Sequence, residues 1–199
     1  MSDFEQLISK RRSIYNLGKN INLTPAKIEE LVKSAVQYCP TPFNSQSGRA
    51  VLLFGNASKK LWNITEKHLQ KVTPPEKFSA TQSKIASFAA GAGTVLFFID
   101  DDITKNLQSK FPLYAEQFSV WAEQAQGMLQ YIVWTLLAEH HIGASLQHYN
   151  PLIDEDVRQS FNLPANWRLT AQMPFGSIEQ PADDKTFQPL EQRVKIFSD

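Results

Sequence analysis

Four short stretches carry the groups most able to hold a polar ligand. In residues 40–47, Pro40 and Pro42 fix backbone angles, and Pro42 also biases Thr41 away from the helical region, so a preceding helix has to stop there. Phe43, Asn44, Ser45 and Gln46 follow in a row. Two carboxamides offer donors and acceptors together, which suits the edge of a heterocycle with alternating C=O and N–H groups. The same residue types also satisfy their own backbone in an ordinary loop. Near the N-terminus, Arg11, Arg12 and Ser13 place two guanidinium groups and a hydroxyl within three positions, enough for several charge-assisted bonds to a phosphate. A bare Arg-Arg-Ser is equally what a solvated basic patch looks like. At the other end, Arg193-x-Lys195 alternates in a strand-like tail, which puts both cations on one side. With Arg11 and Arg12 they could form one phosphate site from opposite ends of the chain. The fourth stretch, residues 144–150, follows Gly143 and includes Leu146, Gln147 and His148. His148 has the chemistry of an acid, a base or a ligand, and also of a loop residue bonded to local backbone.

Other chemistries find no support. His140 and His141 are adjacent and point apart on a helix, and no carboxylate is spaced to complete a metal set with His148. Asp100, Asp101 and Asp102 end an apolar run, where ligands bind in open α/β sheets, but carboxylates there also cap a helix before Ile103. No Gly-rich dinucleotide fingerprint, P-loop or nucleophile elbow occurs. Cys39 has no neighbouring histidine and is expected to be a buried apolar residue. Any catalysis therefore belongs to a bound cofactor. Twenty basic residues balance twenty acidic ones, which argues against nucleic acid or an anionic membrane as the main partner. A lone cysteine excludes a disulfide framework and suits a reducing, cytoplasmic location, and the N-terminus has no secretory pattern. The apolar stretch 118–142 is interrupted by Glu123, Gln124, Gln126, Gln130 and Glu139, so it is expected to be a buried helix and not a membrane span.

These residues need elements to position them. Ser2-x-x-Glu5 is a capping-box spacing before Phe4, Leu7 and Ile8 on one helical face. Thr24 caps a second helix with Pro25 in its first position and an apolar stripe of Ile28, Leu31, Val32, Ala35 and Val36. Uninterrupted apolar runs at 50–54 and 94–99 predict strands covered on both faces. Helices are expected over 56–72, 81–90 and 154–161. The strongest helical signal, 113–141, has apolar positions over more than half its circumference and should be central and largely buried. Gly127 within it is costly unless something must approach the backbone closely. A third strand, 167–173, shows Leu169, Ala171 and Met173 alternating with polar residues. Residues 181–199 form an extended arm with Phe187, Leu190, Val194, Ile196 and Phe197 as anchors, packing along the domain or across a partner. The expectation is one domain over residues 1–199, α+β with α/β-like layers.

In order and spacing, Arg-Arg-Ser, Pro-Thr-Pro-Phe-Asn-Ser-Gln, Gly-Ala-Ser-Leu-Gln-His-Tyr-Asn-Pro and a terminal Arg-Val-Lys resemble the nitroreductase family of flavoproteins. The likeness is nearest to its short bacterial subgroup, related to the fungal fatty-acid-repression-mutant proteins, and covers nearly the whole chain. The resemblance implies a central, mostly antiparallel sheet flanked by helices, with the C-terminal arm exchanged in a homodimer. It implies FMN at the subunit interface and ping-pong reduction of nitroaromatics or quinones by NADH or NADPH; the alternative is a flavin-binding sensor or carrier without turnover. Carried over by position, Arg11, Arg12 and Ser13 hold the FMN phosphate and the adjacent flavin edge. Asn44 and Gln46, with Pro42 and Phe43, reach the flavin of the other subunit. Leu146, Gln147 and His148 pass the flavin ring, and Arg193 and Lys195 add phosphate contacts. Many larger members have Pro-x-Glu-Gly where this chain has Leu-Gln-His-Tyr, so side-chain chemistry there does not transfer.

Overall fold

A computed structural model describes residues 1–198; Asp199, the last residue of the predicted arm, lies outside the described residues. Helix α1 (Asp3–Lys10) starts with the capping box, the Ser2 and Glu5 side chains each bonding the other's backbone N–H. A two-residue strand, β1 (Leu17–Gly18), precedes α2 (Pro25–Tyr38), which Thr24 caps by accepting from the Lys27 N–H. Strand β2 (Gly48–Phe54) leads into α3 (Gly55–Val72) and α4 (Pro75–Ala89). Pro74 and Pro75 do end α3, but Pro75 also occupies the first turn of α4, so that helix begins six residues before the expected 81. Then come β3 (Gly93–Asp100), α5 (Asp101–Lys110), the 25-residue α6 (Ala115–Glu139), β4 (Gly143–Ala144), α7 (Asp154–Ser160) and β5 (Trp167–Ile178). Strands β1 and β4 are too short to show a periodicity, and the sequence did not reveal them.

The sheet runs β1-β5-β3-β2, antiparallel throughout, with β4 added along β5. The apolar run of β3 divides by pleat. Val95 and Phe97 face one core with Ile28, Val32 and Ala35 of α2 and Leu129, Val133 and Leu137 of α6. Leu96 and Phe98 face the other, with Leu61 and Trp62 of α3, Ile85 and Phe88 of α4 and Val157 of α7. Both faces are covered, so every β3 residue is buried and the strand shows no polar alternation.

Strand β5 corrects the expected pattern. Phe97 pairs with Ala171 and Phe98 with Leu169, which leaves Thr170 as a bulge. Leu169 therefore joins the α3 side while Ala171 and Met173 join the α6 side. The polar residues between them are not on a solvent face: Thr170 donates to the Phe97 carbonyl and Gln172 is fully buried.

Helix α6 is less covered than its sequence implies. Val120, Met128 and Tyr131 are 38–50% exposed, and a Cβ at Gly127 would meet nothing within 4 Å. Together with Gln124 these positions form one unpacked stripe, because residues three and four apart share a helical face. The arm after Ile178 is likewise uncovered: Phe187, Leu190, Val194, Ile196 and Phe197 are 58–94% exposed. Only the start of the arm, residues 179–183, bonds to its own domain, while these five anchors stay largely exposed.

A buried hydroxyl joins the α3 layer to β3. Thr94 Oγ1 accepts from Trp62 Nε1 at 3.0 Å and lies 2.8 Å from Ser58 Oγ. Thr94→Val keeps the shape but orphans both partners, and a buried unsatisfied group costs about 1–3 kcal/mol. Urea denaturation of this variant should show a loss of at least that order with an unchanged m-value.

Candidate functional site

The N-terminal arginines are placed by a small backbone junction. Ala144 bridges Ser13, and its carbonyl accepts both the Ile14 N–H at 2.9 Å and the Trp134 indole N–H at 3.1 Å. Arg11 ends α1, its N–H donating to the Leu7 carbonyl. The Arg11 guanidinium then lies 4.2 Å over the Trp134 ring and 5.9 Å from that of Tyr131. This cation–π contact fixes the group and desolvates it. Its Nε and Nη1 atoms are buried with no hydrogen-bond acceptor. A buried cation with unfilled donors is costly, and an anion bound beside it removes that cost.

The beginning of the arm closes over the same residues. Arg12 Nη2 donates to the Asp183 carbonyl, the Glu179 N–H donates to the Asn16 carbonyl at 3.1 Å, and Asn16 Nδ2 reaches Gln180 Oε1 at 2.5 Å. Between residues 11–16 and 180–185 lies an open cleft of about 440 Å³, within the range of small-molecule sites.

The stretch 143–150 runs along the free edge of β5. Gln147 exchanges both backbone bonds with Gln172, at 2.8 and 2.9 Å, and its side chain donates back to Ser145 Oγ at 3.0 Å. Gln172 Oε1 accepts the Tyr149 N–H at 2.8 Å. The carboxamide of Gln147 is thus used internally, Leu146 packs against the α6-side core, and His148 is exposed. Burial pushes the Tyr149 phenol up to about 12, so it stays protonated.

The 42–46 loop is a single 3₁₀ turn, Pro42–Asn44, with unusual backbone angles. Phe43, Asn44 and Gln46 have φ of 56°, 49° and 50°. Each left-handed non-glycine residue costs on the order of 1–3 kcal/mol and persists only where surroundings hold it. Phe43 is held by three rings, Phe111 at 5.1 Å, Phe118 at 5.3 Å and Trp121 at 6.1 Å. Asn44 and Gln46 stay exposed. This loop rests on Trp121 and Arg11 on Trp134, thirteen positions apart on one helix, or roughly 20 Å at 1.5 Å per residue. One chain therefore does not bring the amides and the arginine cleft together.

Arg193 and Lys195 do not line the cleft either. Their segment is not strand-like: Arg193 closes a 3₁₀ turn over Leu190–Gln192, and Lys195 Nζ donates to the Glu191 carbonyl at 3.0 Å. With no sheet edge beside it, the tail satisfies its backbone locally. Trp134, the Ala144 carbonyl, Gln172 and Asp183 are site-building groups that the sequence did not disclose. A Trp three positions after Tyr131 on an apolar helix reads as core, and backbone carbonyls carry no sequence signal.

Other candidates resolve into structure. Asp100 Oδ1 accepts the Asp102 N–H at 3.2 Å and caps α5. Cys39 is part-buried, its Sγ 3.5 Å from the Ala125 carbonyl, and burial raises its thiol above the usual range. Among the described residues no three His, Cys, Asp or Glu side chains gather as a metal site, and no helix is long and apolar enough to cross a membrane.

An antiparallel sheet flanked by helices, with a cleft that carries Arg11 and Arg12 beside it, defines an α+β fold. The chain belongs to the nitroreductase family, whose model matches residues 8–177, and it is accordingly an oxidoreductase. It is 33% identical to HBN1 of Saccharomyces cerevisiae over 100% of this chain and 98% of that protein. It is 30% identical to the nitroreductase FRM2 of the same yeast over 90% of each. Among solved structures, nitroreductase CinD from Lactococcus lactis in complex with chloramphenicol superposes with a TM-score of 0.91 at 45% identity, over 98% of this chain and 100% of that one.

Because the Cys39 thiol is held protonated, its alkylation by iodoacetamide should be slower than that of a free thiol at pH 8. The rate should rise only at a pH above the ordinary thiol range; stopped sampling with mass spectrometry measures both.

Proposed function

We propose that the chain is an FMN-dependent oxidoreductase of the cytosol. It takes electrons from NADH or NADPH and delivers them to nitroaromatics or quinones in a ping-pong cycle, as a homodimer. The observation that carries this is Arg11, whose buried donors lack an acceptor at the mouth of a cleft of suitable size. That donor set fits a phosphate monoester beside an electron-rich ring. When bound, FMN supplies the two-electron chemistry, which explains why no protein nucleophile or base is needed.

The chain's own residues bind and orient. Arg11, Arg12 and the Ser13 hydroxyl would hold the phosphate and flavin edge, and positive charge there favours acceptance of electrons. The backbone of Leu146, Gln147 and His148, fixed by Gln172, would line the ring. Asn44 and Gln46, with Pro42 and Phe43, would contact the flavin of the other subunit, which fits a loop roughly 20 Å from its own cleft. The uncovered stripe of α6 and the exposed arm give such a dimer the apolar area it requires, and Arg193 and Lys195 would be brought to a phosphate only in that assembly. The CinD complexes with 4-nitrophenol and with nicotinic acid support the acceptor class and a pyridine-ring donor.

Purified protein should be yellow, and anaerobic NADH or NADPH should bleach its visible absorption; a colourless protein that takes up no FMN would end this reading. A yellow protein whose NADH oxidation no quinone or nitroarene accelerates is the carrier. Arg11→Ala should weaken FMN binding by about 10- to 100-fold, since a bond to a charged group contributes about 1.5–3 kcal/mol. Truncation after Gln180 should shift sedimentation toward the monomer and release flavin.

A further inference from the structure

Gln46 keeps a left-handed backbone, φ 50°, and an exposed side chain. Both sides of that residue are clamped. Its N–H donates to Thr41 Oγ1 at 3.0 Å, and its carbonyl accepts from Arg49 Nη1 at 2.7 Å. The same Nη1 also donates to the Gly48 carbonyl at 3.0 Å. Nη2 of Arg49 reaches back to Asp100 Oδ2 at 2.9 Å. Asp100 is a fixed anchor, only 7% exposed, because its Oδ1 accepts from Asn166 Nδ2 at 2.7 Å as well as from the Asp102 N–H. The guanidinium lies 5.7 Å from the Trp167 ring, which keeps it from swinging outward. Arg49 is therefore a strut from the exit of β3 to the carbonyl of the strained residue.

We propose that Arg49 is a positioning residue for the reaction: acting through the Gln46 carbonyl, it fixes the loop so that the carboxamides of Asn44 and Gln46 face the ligand. This rests on the flavin reading given above. The planar fork matters, since one guanidinium serves two carbonyls and a carboxylate at once. A lysine ammonium keeps the charge but not this geometry. Thr41 completes the clamp from the other side.

Arg49→Lys separates position from charge, and Thr41→Val offers a milder variant should the first fold poorly. In flavin-free protein, hydrogen exchange of the 41–47 segment should quicken by about tenfold in either variant while β3 amides keep their protection. The FMN dissociation constant, read by flavin fluorescence, should rise by about tenfold in the same variants. The proposal is overturned if the lysine variant exchanges and binds like the parent. It is overturned equally if affinity falls with no change in loop exchange, which would mean direct contact, or if β3 protection collapses as well, which would mean a merely structural role. A parent protein that binds no FMN sinks the flavin reading itself; a parent that binds it beside an unaltered lysine variant sinks only this one.

Discussion

The carbonyl of Ala144 is the joint on which the candidate site depends. It accepts from the Ile14 N–H and from the Trp134 indole, and its own residue pairs with Phe175 of β5. One oxygen thus ties the N-terminal segment, the central helix and the sheet edge. Trp134 holds Arg11 in place, and Arg11 with Arg12, Asp183, Asp184 and Lys185 supplies the charge of the cleft. Gly143, just before it, has Ile14 and Ile178 within about 3 Å of where a Cβ would stand, so a side chain there would have to displace one of them.

Two features of the folded chain are unfinished in the same sense. Arg11 has donors without acceptors, and the 42–46 loop holds three left-handed residues, two of which, Asn44 and Gln46, carry exposed amide side chains. Unfilled donors and stored strain cluster where a ligand completes the structure. The stripe along α6 and the arm show a parallel deficit in apolar contact. The proposed homodimer with bound FMN would supply all three.

Much of the fold was legible because its signals are local. The Ser2–Glu5 box, the Thr24 cap and the Asp100 cap are set by residues within three positions. The apolar runs of β2 and β3 and the long helix α6 also stood out. What escaped was set by distant partners: β1 and β4 exist only because β5 offers an edge, and α4 starts early because Pro75 both ends one helix and opens the next. The polar residues between Leu169, Ala171 and Met173 do not mark a solvent face, because a bulge at Thr170 and covering layers on both sides bury them.

By itself the sequence determined the chemical types and several helix caps: cations near both ends, two amides on a proline-stiffened loop, and the caps at Ser2, Thr24 and Asp100. These follow from composition and short-range geometry. Only the tertiary structure decided which groups meet. It stacked Arg11 on Trp134 and fixed Gln46 through Arg49 and Asp100. It also separated the loop from the cleft along α6, because a fixed rise holds Trp121 and Trp134 apart on the helix.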